Sequence, residues 1–275
     1  MDIEAKVIAD SIGKNGIRLT TFQIKTYKFL IAQLNTHRVF SRNYSSSRAI
    51  PTHKLLEQVK NDPAMPVFWG RNQAGMQARE ELQGSEKAVA ISGWKIAAEE
   101  ASFIAAQMAN IGVHKQIVNR LIEPFLWSNG IITSTEWNNF FEQRIHPDAQ
   151  PEIQALAVAM KEAMDHSEPK FLDEYEWHLP YIRDNELHLD IELLKKISAA
   201  RCCRVSYNKH DGSDPSVEED LALFEKLAGA VPMHCSPLEH QASPDYAFCS
   251  SHLYGNFREW IQFRKEWEFN RALLQ

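Results

Sequence analysis

Residues 36–48 read T-H-R-V-F-S-R-N-Y-S-S-S-R. The stretch holds three arginines, one histidine and five serine or threonine hydroxyls, and no acid. Arg38, Arg42 and Arg48 carry planar forks of N–H donors whose geometry matches phosphate oxygens. Ser41, Ser45, Ser46 and Ser47 add hydroxyls that rotate toward an acceptor. An apolar run, Tyr27 to Leu34, precedes the stretch and Pro51 follows it, the pattern of a helix delivering a basic loop. Two readings fit this composition: a cradle for a phosphorylated ligand, and a solvated basic turn.

The rest of the chain narrows the choice of ligand. Its 275 residues carry a net charge of −6, with 44% hydrophobic and 24% charged residues. Such a chain builds a sizeable core. A broad basic face is what duplex nucleic acid requires, so the local arginines suit a small anion better than a polymer. The first ten residues carry acids and lack the apolar centre of a signal peptide, and no run has the length of a membrane span. The four cysteines, at 202, 203, 235 and 249, form no CxxC pair or zinc spacing. Reduced thiols in a cytoplasm are expected, and so is the absence of a bound metal.

Residues 3–10 and 17–25 read as strands, the second from a weak alternation of Ile17, Leu19, Thr21 and Gln23 with Arg18, Thr20, Phe22 and Ile24. Helices are expected over 27–35, 53–60, 86–110, 114–122, 151–165, 190–200 and 216–228. The last of these opens on Ser216 with Glu219 three residues on, a capping box, and Pro151 suits the first turn of its helix. Thr133 or Ser134 is expected to cap a helix through Phe141, and 254–274 to form a final aromatic helix. Arg204 to Tyr207 reads as a short strand or turn and 211–215 as a loop. The polar segment 61–84, with its prolines and glycines, reads as an irregular excursion, and W-G-R-N-Q-A-G at 69–75 has the composition of a lid. The fold class is α+β, helix-rich, with chemistry on loops.

Four polar clusters carry candidate chemistry: His37 to Arg48; Arg120, one turn before Pro124; N-F-F-E-Q-R-I-H-P-D-A-Q at 139–150; and S-P-L-E-H at 236–240. Each also has a plain structural reading, as a helix-surface charge, a helix-end cation or a satisfied histidine. No G-x-S-x-G elbow supports a serine hydrolase. Cys202 and Cys203, flanked by Arg201 and Arg204, leave a thiol nucleophile open.

Taken together the clusters resemble the flavin-dependent thymidylate synthases, whose signature loop reads R-H-R-x-x-S-x-N-E-x-S-x-R. His37, Arg38, Ser41, Asn43, Ser46 and Arg48 match it, as does Gln33 upstream. Thr36 stands for the first arginine and Tyr44 for the glutamate. V-N-R-L-I-E-P around Arg120 resembles a second family segment. Residues 139–153, with Asn139, Arg144 and Gln150, resemble a third, in which Asp148 stands where a flavin-contacting histidine is usual. S-A-A-R-C-C-R-V-S-Y at 198–207 and S-P-L-E-H at 236–240 resemble segments that normally precede the signature loop; here they follow it. The order implies a circular permutation of a single domain. Residues 1–182 correspond to the usual C-terminal part, 183–197 to the joint and 198–246 to the usual N-terminal part, with 247–275 an extra C-terminal helix. The loop and the tail G-N-F-R-E-W-I-Q-F-R also resemble bacteriophage versions, which implies a host-cytoplasmic location.

The resemblance implies an α+β fold with a mixed or antiparallel sheet, and a homotetramer with active sites at subunit interfaces. It implies FAD as the bound flavin, NADPH as reductant, 5,10-methylenetetrahydrofolate as carbon donor and deoxyuridine monophosphate (dUMP) as acceptor, giving dTMP. It assigns Gln33, Ser46, Arg48, Arg120 and Arg144 to the substrate, with Arg144 and Ser46 nearest the chemistry. His37, Arg38, Ser41, Asn43, Asn139, Glu239 and His240 fall to the cofactor. Thr36 and Tyr44 leave two alternatives open: one-carbon transfer to another pyrimidine monophosphate such as dCMP, and a non-catalytic flavin- or nucleotide-binding homologue.

Overall fold

A computed structural model describes residues 3–205 and 214–273. The strands are β1 (Glu4–Ile12), β2 (Arg18–Tyr27), β3 (Ser41–Tyr44), β4 (Trp127–Ser134), β5 (Lys170–Phe171), β6 (Ala242–Pro244) and β7 (Trp260–Gln262). The helices are α1 (Ile31–Leu34), α2 (Thr52–Asn61), α3 (Gly84–Asn110), α4 (Lys115–Val118), α5 (Asn138–Arg144), α6 (Pro151–Asp165), α7 (Ile191–Cys203), α8 (Val217–Ala228) and α9 (Phe263–Leu273), joined by short 3-10 turns. The main sheet runs β3-β4-β2-β1-β5. It is antiparallel except for the parallel β1–β5 edge; β6 and β7 pair separately. The class is α+β with a mixed sheet.

Register decides which face each side chain serves. Phe22 lies opposite Ile132 and Thr21 opposite Thr133. Successive residues of a strand point to opposite faces. One face, with Phe22, Ile24 and Ile132, joins Phe140, Ile153, Leu156 and Met160 of α5 and α6 in the largest core cluster. The other face carries Thr21 and Thr133 and meets the C-terminal segment, where Leu19, Ala242 and Trp260 form a further cluster. Both faces of β2 are therefore buried, which is why its alternation is weak in sequence.

Across that second face runs a buried polar chain. Ser11 Oγ meets His178 Nδ1 at 2.9 Å, and His178 Nε2 meets Thr21 Oγ1 at 2.7 Å. Thr21 and Thr133 hydroxyls lie 2.8 Å apart, and Thr133 Oγ1 is 2.8 Å from His240 Nδ1. The chain stitches β1, β2 and β4 to the 236–240 segment through groups that would be costly to bury singly.

Several expectations change. The helix expected from Thr133 or Ser134 is instead the end of β4, and α5 starts at Asn138. The central run I-I-T-S is buried on both sides, so no alternation marks it as strand. The basic stretch is not wholly a loop: Ser41–Tyr44 pairs with β4 from Thr133 to Gly130. A Cβ on Gly130 would come within 2.4 Å of the Tyr44 ring, so glycine is what admits Tyr44 at this crossing. The final aromatic helix is shorter, because Trp260–Gln262 forms β7 before α9 begins. The helix expected at 114–122 is α4 followed by a 3-10 turn over Asn119–Phe125 that contains Pro124. The capping box on α8 and the proline at the start of α6 are present. Ser206 and Tyr207, residues 211–213 of the expected loop, and Leu274 lie outside the described residues.

Candidate functional site

The turn after β3 is held by its carbonyls. Lys28 Nζ donates to Ser45 O at 2.6 Å and Lys115 Nζ to Ala49 O at 2.7 Å. The buried Asn119 amide donates to Ser47 O at 2.6 Å and to Ile50 O at 3.1 Å, while its oxygen accepts from Thr52 Oγ1 at 2.7 Å. Glu123 Oε1 takes both the Ser47 hydroxyl, at 2.5 Å, and Arg120 Nη1, at 2.8 Å. Burial, the largest influence, pulls the Lys28 pKa down, with Glu123 opposing and Arg120 adding to it. Ser46, Arg48 and Arg120 are thus carried on one clamped unit. Arg48 is exposed, and Arg120 is half exposed beside Glu123. Four cations, Lys28, Arg48, Lys115 and Arg120, gather here in a chain whose net charge is negative.

A second group forms where α1 meets α5. Arg144 Nε donates to His37 Nε2 at 2.9 Å and Arg144 Nη2 to Thr36 Oγ1 at 3.3 Å. His37 stacks on Phe40 and meets the edge of Phe140. Burial, then the Arg144 and Arg42 charges, push its pKa down to about 4, so the ring is neutral and its Nε2 accepts. Gln33 Nε2 donates to Gln150 Oε1, whose own amide reaches Glu152 at 2.8 Å. Arg38 and Asn139 are exposed.

The remaining candidates lie against the C-terminal segment. Asn43 Nδ2 donates to Cys202 O at 2.9 Å, and Ser41 Oγ to Asn256 Oδ1 at 3.0 Å. Gln262 Nε2 reaches Ser41 Oγ at 3.2 Å. Glu239 pairs with Arg264. His240 is fully buried, with its pKa lowered to about 3 by burial and by His178; its Nε2 has no hydrogen-bond partner among the described residues. Ser41 and His240 therefore tie the two halves together in the single chain.

A cleft of about 580 Å³ opens between β3 and α8. Asn43, Ser46, Arg204, Lys226 and Ser236 give it polar groups, and Ala222, Leu223, Leu227 and Pro237 give it an apolar wall. It draws on both the 36–48 stretch and the 236–240 segment. Cys203 also borders it, but burial pushes that thiol up to about 11, and the fully buried Cys202 higher still. Neither is poised as a thiolate nucleophile at neutral pH.

Sequence reasoning missed Lys28, Lys115 and Asn119. Lys115 and Asn119 fall four residues apart, one helical turn, which is the only hint of a shared face; their carbonyl partners lie 66 to 72 residues away. Among the described residues no group of three or more His, Cys, Asp or Glu side chains is arranged to hold a metal, and no helix is long and apolar enough to cross a membrane.

Comparison with known proteins adds the family. No curated individual protein matches the chain. Similar solved structures include the UMP/dUMP methylase PolB from Streptomyces cacaoi bound with 5-Br dUMP, at 14% identity and TM-score 0.47 over 59% of this chain and 90% of that one. The same methylase bound with 5-Br UMP gives 14% identity and TM-score 0.48, over 59% and 88%. The family model described as thymidylate synthase complementing protein matches residues 19–170, which span β2 to the start of β5 and include the clamped turn and the Arg144–His37 pair. On that match, which covers more than half its length, the chain belongs to the thymidylate synthase complementing protein family.

Proposed function

We propose that the protein is a flavin-dependent methyltransferase that converts dUMP to dTMP, with methylenetetrahydrofolate as carbon donor and NADPH as reductant. The observation that carries the reading is the clamped turn. Ser46 and Arg48 sit on a turn whose Ser45, Ser47, Ala49 and Ile50 carbonyls are held by Lys28, Lys115 and Asn119, and Arg120 is joined to it through Glu123. Such a unit meets a nucleotide phosphate without reorganising, which is what makes binding groups effective.

Arg144 is the candidate for the pyrimidine carbonyl edge. Its Nε is spent on neutral His37 and its Nη2 reaches Thr36 Oγ1, which leaves Nη1 to polarise a substrate oxygen. Gln33, fixed through Gln150 and Glu152, supports the same region. The cleft between β3 and α8 fits a flavin dinucleotide in kind, since it joins hydroxyl, amide and cationic donors to an apolar wall that a flat ring requires. Asn43 and the neighbouring Glu239 would hold that group from the single chain; His37, Arg38 and Asn139 would approach it from a neighbouring one. The flavin, when bound, supplies the hydride that turns a transferred methylene into a methyl group. The protein's part is to fix the nucleotide, exclude water and orient C5.

Two further proposals accompany this reading. The first is the permutation. The 198–205 and 236–240 segments fall beyond the matched residues 19–170, yet they pack on β3 and β4 through Asn43–Cys202 and Thr133–His240. A segment that docks this way can be joined to either end of the chain where the termini are near the surface. The second is a homotetramer. Arg120 works with the 45–50 turn and Arg144 with Thr36 and His37, two groups that neighbouring protomers would combine into one site. On α3, Val89, Ile96, Phe103 and Ile104 are exposed, the first three at seven-residue intervals. That is a helix-packing seam without a partner in the single chain.

The test is direct. Purified protein should carry or take up FAD, with flavin absorbance in the visible region, and dUMP should perturb that spectrum. A protein that neither binds flavin nor responds to dUMP would remove the proposal. A flavin that responds to dCMP but not dUMP would reassign the acceptor.

A further inference from the structure

The segment between α2 and α3 makes little core of its own, yet it returns twice to one loop. Near its start, Val67 N donates to Glu152 Oε1 at 3.1 Å, at the head of α6. Trp69 packs its edge on Trp94. From there Arg71 N bonds Glu80 O at 2.7 Å and Leu82 N bonds Trp69 O at 2.8 Å, which closes residues 69–82 into an arm. Beyond the tip, Gln77 Nε2 donates to Asp148 O at 3.3 Å, and Arg79 Nη2 meets Asp148 Oδ1 at 3.0 Å. Both of these contacts fall on Asp148, in the loop from 146 to 150, while the Val67 bond falls just past it on α6. The loop begins two residues after Arg144 and ends at Gln150, the partner of Gln33.

Asp148 is a carboxylate placed four residues from Arg144, beside a site read here as a receptor for a nucleotide anion. His146 lies 3.9 Å from it, and His146 Nδ1 accepts from the Asp148 backbone N–H at 3.2 Å, so that ring gives the carboxylate no proton. Arg79 is its cationic partner. The pair is exposed, with side chains 66% and 47% accessible, and contributes little to folding. A charge pair that stabilises so little still sets the local field.

We propose that Arg79 is a positioning residue for the nucleotide site. It holds Asp148 paired and turned to the arm, so that the carboxylate does not capture Arg144, four residues away in the chain, and leaves that guanidinium to the pyrimidine. This rests on the reading of Gln33, Thr36, His37 and Arg144 as part of a nucleotide site. The arm at 69–82 thereby becomes a determinant of affinity, acting through Asp148.

The experiment measures dUMP affinity, KM and kcat for the full chain and three variants. Arg79→Gln should weaken dUMP binding and raise KM about three- to tenfold, with kcat within about twofold and Tm within about 2 °C. Asp148→Asn should stay near wild type. The double variant R79Q/D148N should return to near wild type, because the unpaired carboxylate is gone. Unchanged affinity in Arg79→Gln would overturn the inference. So would a double variant as weak as Arg79→Gln, since Arg79 would then act as an arm anchor or a direct ligand. A wild-type protein that binds dUMP while Arg79→Gln matches it sinks only this inference; a wild-type protein that binds no dUMP sinks the site reading as well.

Discussion

Replacing Asn119 with alanine is the sharpest test of the clamped turn. The amide is fully buried and makes three hydrogen bonds, at 2.6 and 3.1 Å to the carbonyls of Ser47 and Ile50 and at 2.7 Å from Thr52. Alanine removes all three and leaves the Ser47 carbonyl, in a residue only 5% exposed, without its donor. A buried group left unsatisfied costs about 1–3 kcal/mol. The Ile50 carbonyl and the Thr52 hydroxyl lie nearer solvent and recover part of their loss through water. The expected destabilisation is therefore about 2–4 kcal/mol. For a chain of this size, about 2 °C of Tm follows each kcal/mol, so Tm should fall by about 4–8 °C. Hydrogen exchange should quicken first at the amides of 45–50, and nucleotide affinity should drop with it because Ser46 and Arg48 lose their footing. Calorimetry and exchange measured on the same variant decide the matter. A loss below about 0.5 kcal/mol with unchanged exchange at 45–50 would refute the clamp.

Other outcomes follow from the same geometry. Arg48→Ala should weaken dUMP binding about ten- to a hundredfold while stability changes by less than about 0.5 kcal/mol; titration calorimetry checks the first and chemical denaturation the second. Acid should destabilise the fold early. His37, His178 and His240 have folded values lowered to about 4, 3 and 3, each chiefly by burial. The unfolded chain titrates them near 6.5, so it binds protons that the folded chain refuses, and stability falls as pH drops below about 6.5. Each histidine contributes up to about 1.4 kcal/mol per pH unit in that window; urea midpoints at pH 7.5 and 5.5 should differ accordingly, and equal midpoints would contradict the buried neutral assignment. Glutamate at Ile96 and Phe103 together should dissociate the assembly in sedimentation while leaving the far-ultraviolet dichroism of the protomer intact.

Much of the helical frame is legible in the residues themselves. The Ser216–Glu219 box and Pro151 name the starts of α8 and α6 because capping is local chemistry. The strands were harder for physical reasons. β4 has both faces covered, and Thr133 and Ser134, good caps in isolation, serve there as sheet residues. β3 is written in Arg, Asn, Tyr and Ser, residues chosen for what they hold rather than for a pleated surface. Within the site, donor types near positions 40, 120 and 144 could be read from the sequence. Their division into two groups could not, since Arg144–His37 and Asn119–Ser47 are contacts 107 and 72 residues apart. Nor could Arg79, whose partner lies 69 residues away across an excursion with no periodic pattern.

The central claim is that the clamped turn and the Arg144–His37 pair serve one-carbon transfer to a pyrimidine nucleotide. Anaerobic incubation of the FAD-loaded protein with NADPH, methylenetetrahydrofolate and each pyrimidine monophosphate, followed by mass analysis of the nucleotides, tests it most directly. The account predicts dTMP from dUMP, with the product lost in Arg144→Ala. Flavin that is bound and reduced with every nucleotide recovered unchanged would contradict it.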